Sequence, residues 1–277
     1  MTSTEMTIEI LKEMALKVYE NVSHLIGTAE GARKIEKGAG GDISMHIDIV
    51  AENTIVNIIE RDELNVLLLS EEIGKKYFGN KQIVENTKAK IIVDPIDGST
   101  NSSRDIPFYS VSIAYAEGEK IDNIKMAVIL DLTNKDIYWA IKNKGAYFND
   151  KKIHISNRQL GDQLIFEVDF NLWNLRRKLK KYSSILRKIY RIRVMGSIAL
   201  SFCLLAKGSI DGYIDFRRGT RLVDIAASYL ILKEAGGKIY SIKGEDLDFE
   251  LSMDIHLPLV ASNSNLESFL KSELIKI

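Results

Sequence analysis

Residues 91–101 read IIVDPIDGSTN, in which three apolar β-formers run into Asp94, Pro95, Ile96, Asp97 and Gly98, then Ser99, Thr100 and Asn101. Two carboxylates where a buried strand ends cost on the order of several kcal/mol unless something positive or reactive lies beside them. Pro95 has no N–H and biases Asp94 toward extended geometry, so the chain leaves the sheet at this point. Gly98 permits a tight turn or the close approach of a ligand. Ser99 and Thr100 are suited to cap a helix N-terminus, whose free amides bind phosphate. Hard oxygen ligands beside an anion hole suit Mg²⁺-assisted phosphate chemistry.

Covalent routes to the same chemistry fit poorly. A phosphatase of the haloacid-dehalogenase type spaces its acids two apart, as DxDGT, whereas Asp94 and Asp97 are three apart with proline between. Cys203 is followed by LLAKGS, without the arginine a cysteine-phosphatase loop needs, and none of His24, His46, His154 and His256 lies in an RHG pattern. A plain turn, with both acids capping backbone amides, stands as the structural alternative, because Asp-Pro and Asp-Gly are common turn pairs. Glu71 and Glu72 come directly after the apolar run VLLLS and are either ligands or solvated strand-end acids. Asp224 lies beside Ile225, Ala226 and Ala227 in an apolar helical stretch, where a carboxylate needs a partner and a metal is favoured over an ordinary ion pair.

The framework that must position these groups is mixed α and β. With 277 residues, 45% hydrophobic and 27% charged, the chain has room for a sizeable core. Its 38 basic and 38 acidic side chains leave no global charge for nucleic acid or an anionic membrane. One cysteine fits a reducing compartment, and the absence of a leader or a long apolar run points to a soluble cytoplasmic protein. Apolar spacing predicts a helix over 5–27 and a second over 47–58, with the glycine-rich KGAGGD (37–42) between them as a loop. Strands are expected at 66–70 and 91–93, and an antiparallel meander from 108 to 149. The second half opens with a strand near 164–168, a basic helix at about 172–190, a helix over 196–208 closed by Gly208, and a strand at 211–216. A helix at 222–237, strands at 238–240 and 258–262, and a terminal helix from Asn265 complete the order. The chain divides into halves, 1–155 with the main acid motifs and 156–277 completing the site, joined in one compact unit.

Taken in order, LLSEE, IIVDPIDGSTN, RVMGSIALSFCLLAKGSIDGYID and LVDIAASYLILKEAGG resemble the inositol monophosphatase superfamily of Mg²⁺-dependent, lithium-sensitive phosphatases, over roughly residues 5–270. GAGGDISMHIDIVAEN is similar to that family's mobile loop and following helix. The chain resembles in particular the archaeal members acting on both inositol 1-phosphate and fructose 1,6-bisphosphate. The resemblance implies an α+β fold, a layered αβαβα sandwich, usually a homodimer, working on carbohydrate phosphates, as in gluconeogenesis. It also implies two or three Mg²⁺ ions per site, with Mn²⁺ as a substitute and Li⁺ as an inhibitor. Carried over by position, Glu71, Asp94, the Ile96 carbonyl, Asp97 and Asp224 match metal ligands. Glu71 and Ser99 match the groups that orient the attacking water, with Asp48 supporting them. Amides of Gly98, Ser99 and Thr100 match the phosphate cradle, and Asp97, Gly196 and Ser197 match substrate-binding positions.

Substrate choice turns on DFRRGTRLVD, which supplies Arg217, Arg218 and Arg221. Inositol-dedicated relatives often carry a glutamate near Arg217. A guanidinium there instead offers a fork for the second phosphate of fructose 1,6-bisphosphate, with surface ion pairs as the alternative. The family's 3′(2′),5′-bisphosphate nucleotidases typically show DPIDGTK, unlike this chain. A non-catalytic sugar-phosphate binder is the remaining reading from another class.

Overall fold

The computed structural model describes residues 5–38, 43–170, 174–217 and 219–276. Its helices are α1 (Ile8–Val22), α2 (His46–Arg61), α3 (Lys81–Thr87), α4 (Ser99–Ser102), α5 (Leu175–Lys181), α6 (Ser183–Leu186), α7 (Ile198–Ala206), α8 (Leu222–Glu234) and α9 (Glu267–Ile275). Of four sheets among the described residues, two are large and two have only two strands each. The larger orders its strands Lys151–Ile153, Gly145–Phe148, Ile137–Ile141, Ile124–Asp131, Ser110–Glu117, Ala89–Asp97, Val66–Ser70 and Gly74–Phe78. The smaller orders Arg191–Arg193, Ile165–Asp169, Gly212–Asp215, Leu259–Ser262 and Lys238–Ser241.

Apolar side chains stack these elements in five layers. Leu11, Met14 and Val18 of α1, with Ile47, Ile55 and Ile59 of α2, cover one face of the large sheet through Leu68, Ile91 and Ile113. The opposite face packs through Leu69, Ile92 and Ala114 on α7 and α8, whose other side meets Tyr213, Leu259 and Ala261 of the small sheet. Phe166, Ile214 and Val260 of the small sheet then close against Ile185, Leu270 and Leu274. The result is the expected αβαβα sandwich. Helix α8 lies between two sheets, which is why it is apolar nearly all round: every residue from Leu222 to Leu232 is buried.

Several boundaries differ from the pattern reading. Helix α1 stops at Val22, and residues 23–32 form turns through Gly27 at φ +66. The basic stretch is two short helices and an edge strand instead of one helix. α5 buries no side chain, so no apolar stripe carries it past Tyr182. Trp173 and residues 39–42 of the glycine-rich loop lie outside the described residues, as does Arg218. The Gly74–Phe78 strand and α3 were not expected, since Lys75, Lys76 and Tyr77 face solvent on a sheet edge and break the apolar alternation. No helix among the described residues is long and apolar enough to cross a membrane.

The middle layer should carry much of the stability. Phe202, fully buried and tilted against Tyr213 at 5.1 Å between ring centroids, is central to it. Phe202→Ala should cost about 3–5 kcal/mol, read as a lowered urea midpoint at unchanged m-value; a loss below about 1 kcal/mol would contradict this packing.

Candidate metal and phosphate site

Strand register brings the first two acids together. Val66–Ser70 and Ala89–Asp97 are parallel neighbours with Ser70 opposite Val93, so Glu71 and Asp94 come next, side by side. On the other flank Asp94 faces Ser112 and Asp97 faces Ser110, three residues against two. That offset is a β-bulge, and Pro95 accommodates it because it needs no ladder acceptor. The bulge also decides the chemistry. In an unbroken strand, residues three apart point to opposite faces; the extra residue returns Asp97 to the face of Asp94.

The third acid arrives from the far half of the chain. Asp224 is the third residue of α8 and accepts the backbone N–H of Arg221 at 2.7 Å. One carboxylate oxygen each from Glu71, Asp94 and Asp224 lie within 4.8 Å of one another. Burial raises the pKa of Asp94 well above its usual value, and repulsion from Glu71, Asp97 and Asp224 adds to it. Glu71 is also raised, by burial first, although Arg221 pulls it down. Arg221 donates from Nη1 to Glu71 Oε1 at 2.5 Å and from Nη2 to Asp224 Oδ1 at 2.8 Å. One guanidinium thus faces three carboxylates, and the cluster keeps a negative excess that suits a hard divalent cation.

The other predicted groups occupy the rim. The Asp97 carboxylate receives Ser197 Oγ at 2.5 Å and the Ala199 N–H at 2.7 Å, at the start of α7. It lies outside the three-acid cluster, and its pKa is raised to about 7, mainly by burial. The Ile96 carbonyl accepts Ser99 Oγ at 2.9 Å. Asp48 is buried in the first turn of α2; its Oδ2 accepts the Met45 N–H at 2.8 Å and its Oδ1 has no partner among the described residues. Burial lifts Asp48 to about 7, with Glu72 and Glu71 adding repulsion. In the α4 turn the N–H groups bonded to Gly98 O are those of Asn101 and Ser102. The turn therefore does not use the amides of Gly98, Ser99 and Thr100. Gly98 sits at φ +97, and a Cβ there would come within 3.0 Å of Phe108 O and 3.3 Å of Gly196 O.

Arg217 and Arg221 both make ion pairs with carboxylates. Arg217 bonds Asp169 Oδ2 at 2.8 Å and Asp215 Oδ1 at 3.3 Å, spanning the ends of neighbouring parallel strands. Arg221 lies on the acid cluster itself, paired with Glu71 and Asp224. Sequence reading also passed over Glu52, one turn after Asp48 on the same helix face. Buried in α2, it accepts the Ile73 N–H at 3.1 Å and so holds the turn that carries Glu71. The i, i+4 acid pair on an otherwise apolar helix face was the available signal.

Because the cluster is self-repelling, Asp94→Asn should raise the melting temperature of metal-free protein by several degrees, roughly 1 kcal/mol or more of relief. Mg²⁺ should then stabilise the wild type and leave the variant unmoved. Equal Mg²⁺ shifts in both proteins would remove Asp94 from the ligand set.

A model of the inositol monophosphatase family matches residues 3–274. The fructose-1,6-bisphosphatase/inositol-1-monophosphatase of Methanothermobacter thermautotrophicus is 36% identical over 260 residues, covering 92% of this chain and 90% of its own. A bifunctional NADP phosphatase/NAD kinase of Methanococcus maripaludis is also 36% identical, over 286 residues, covering 96% of this chain but 48% of its own. A solved structure described as an inositol monophosphatase–fructose 1,6-bisphosphatase superposes with a TM-score of 0.83 at 26% identity, covering 98% of this chain and all of the other. With fold, site and sequence in agreement along its length, the chain belongs to the inositol monophosphatase family.

Proposed function

We propose that this protein is a Mg²⁺-dependent phosphomonoesterase that hydrolyses inositol 1-phosphate and the 1-phosphate of fructose 1,6-bisphosphate. The observation that carries the reading is the meeting of Glu71, Asp94 and Asp224 beside the amides of residues 98–100, which have no backbone acceptor among the described residues. The three convergent carboxylates form an all-oxygen donor set that fits Mg²⁺, and the family pattern adds the Ile96 carbonyl and Asp97 as ligands, with Asp48 in support. Bound there, Mg²⁺ supplies Lewis acidity and neutralises phosphoryl charge. The amides of Gly98, Ser99 and Thr100 orient the phosphate. Glu71 and Ser99 align the attacking water and Glu71 accepts its proton, while the bond from phosphorus to the sugar oxygen breaks and that oxygen takes a proton from solvent water. Asp97 ties the metal side of the site to α7 through Ser197 and Ala199, next to the substrate positions Gly196 and Ser197. Cys203 takes no part, being fully buried in the core.

Phosphate release from both compounds, measured side by side with Mg²⁺ and with chelator, tests this reading. Release from both that chelator abolishes is expected, with Mn²⁺ substituting and Li⁺ inhibiting. NADP joins the assay because two relatives matched over at least 92% of this chain are named NADP phosphatase/NAD kinase. Release from NADP alone would overturn the sugar-phosphate reading, and tight binding without release would favour a silent binder. A homodimer in light scattering would complete the parallel with the family.

Arg221 provides the sharper prediction. Since it bridges Glu71 and Asp224, Arg221→Ala should lower turnover of both substrates by a similar factor, about tenfold or more. Selective loss on fructose 1,6-bisphosphate would return Arg221 to the second-phosphate role.

A further inference from the structure

We infer that Glu167 is a positioning residue whose carboxylate, opposed by Asn101, clamps the backbone of Met195 and so fixes Gly196 and Ser197 against the phosphate site. Glu167 sits mid-strand in Ile165–Asp169, where Phe166 and Val168 face the outer core. It points the other way, toward the start of α7, and is 1% exposed. No cation lies within ion-pair distance of it among the described residues. An apolar side chain would suit a buried strand centre better, so this acid needs a use. Its Oε1 accepts the Met195 N–H at 3.1 Å, while Oε2 has no hydrogen-bond partner among the described residues. From the opposite side Asn101 Nδ2 donates to Met195 O at 2.8 Å, and to Phe108 O at 2.8 Å. Both polar groups of Met195 are thereby held, one by the small sheet and one by the DPIDGSTN turn.

The two residues after Met195 are the ones the clamp controls. Gly196 adopts φ +90, and a Cβ on it would approach Asn101 Nδ2 to 3.1 Å. Its carbonyl lies against Gly98, and Ser197 Oγ donates to Asp97. A shift of Met195 therefore moves Gly196 and Ser197 relative to the amides of residues 98–100. Asp97 itself keeps the Ala199 N–H of the packed helix α7, so the clamp governs substrate seating more than the acid cluster. Burial lifts the Glu167 pKa to about 7, against the opposing pull of the Met195 N–H. Either protonation state keeps a carboxyl oxygen able to accept from Met195.

This inference rests on the phosphatase reading and is tested with two variants of similar volume. Glu167→Gln keeps an acceptor; Glu167→Met removes it. With inositol 1-phosphate and saturating Mg²⁺, Glu167→Gln should stay within about threefold of wild type in kcat and KM. Glu167→Met should raise KM by about tenfold while changing kcat less than about threefold. A Glu167→Met protein with wild-type KM, or equal losses in both variants, would overturn the clamp. Should Glu167→Met fail to melt cooperatively, Asn101→Ala removes the opposing bond, and an unchanged KM there overturns it equally. Wild-type protein that releases no phosphate would instead defeat the phosphatase reading and not the clamp alone.

Discussion

Repulsion among Glu71, Asp94 and Asp224 is the constraint around which the rest of the structure is arranged. Their nearest carboxylate oxygens lie within 4.8 Å of one another in a largely buried setting. At that separation each pair of full charges repels by roughly 3 kcal/mol at an effective dielectric of 20. The raised pKa values of Glu71 and Asp94 are the same repulsion and desolvation seen as protonation. A site of this kind stays assembled only if each acid is carried by an element with other reasons to be where it is. Glu71 comes directly after a fully buried strand, Asp94 lies in the neighbouring one just before its bulge, and Asp224 sits in the first turn of a helix buried between two sheets.

Two local devices make the convergence possible. The bulge between Asp94 and Asp97 keeps both acids on one face although they are three apart. Arg221 spans Glu71 and Asp224 and cancels part of the excess charge. Arg221 and Asp224 also belong to one helix start, where the Asp224 carboxylate accepts the Arg221 N–H. The group that relieves the cluster is thus placed by the same backbone turn as the acid it relieves. The layering of the two sheets around α7 and α8 then holds the halves of the site in register across 150 residues of sequence, the separation of Glu71 from Arg221.

Much of this was legible from residues. Proline between two acids at a strand end, glycine after them and hydroxyls beyond announced a turn built for oxygen and phosphate, and the acid in an apolar helix at 224 required a partner. The five-layer fold came from the family resemblance and not from periodicity, since α7 and α8, apolar on nearly every side, carry no stripe that says which face meets which sheet. The bulge was not legible either: three-residue spacing alone predicts opposite faces, and only pairing with Ser110 and Ser112 shows otherwise. The ion-pair partners of the arginines were hidden for a related reason. Arg217 and Arg221 look alike in sequence, yet one spans two strand ends and the other lies on the acid cluster, a difference that depends on partners 48 and 150 residues away. Glu167 went unremarked and Asn101, though in the motif, was given no role, because neither carries chemistry and both bond the backbone of Met195.

The most direct measurement is calorimetric titration of Mg²⁺ into chelator-treated protein without substrate, for wild type and for Asp224→Asn. Saturable binding in the wild type that is lost or weakened at least tenfold in the variant is the predicted result. Undiminished binding in Asp224→Asn, or none in either protein, would contradict a cation site built from acids of both halves of the chain.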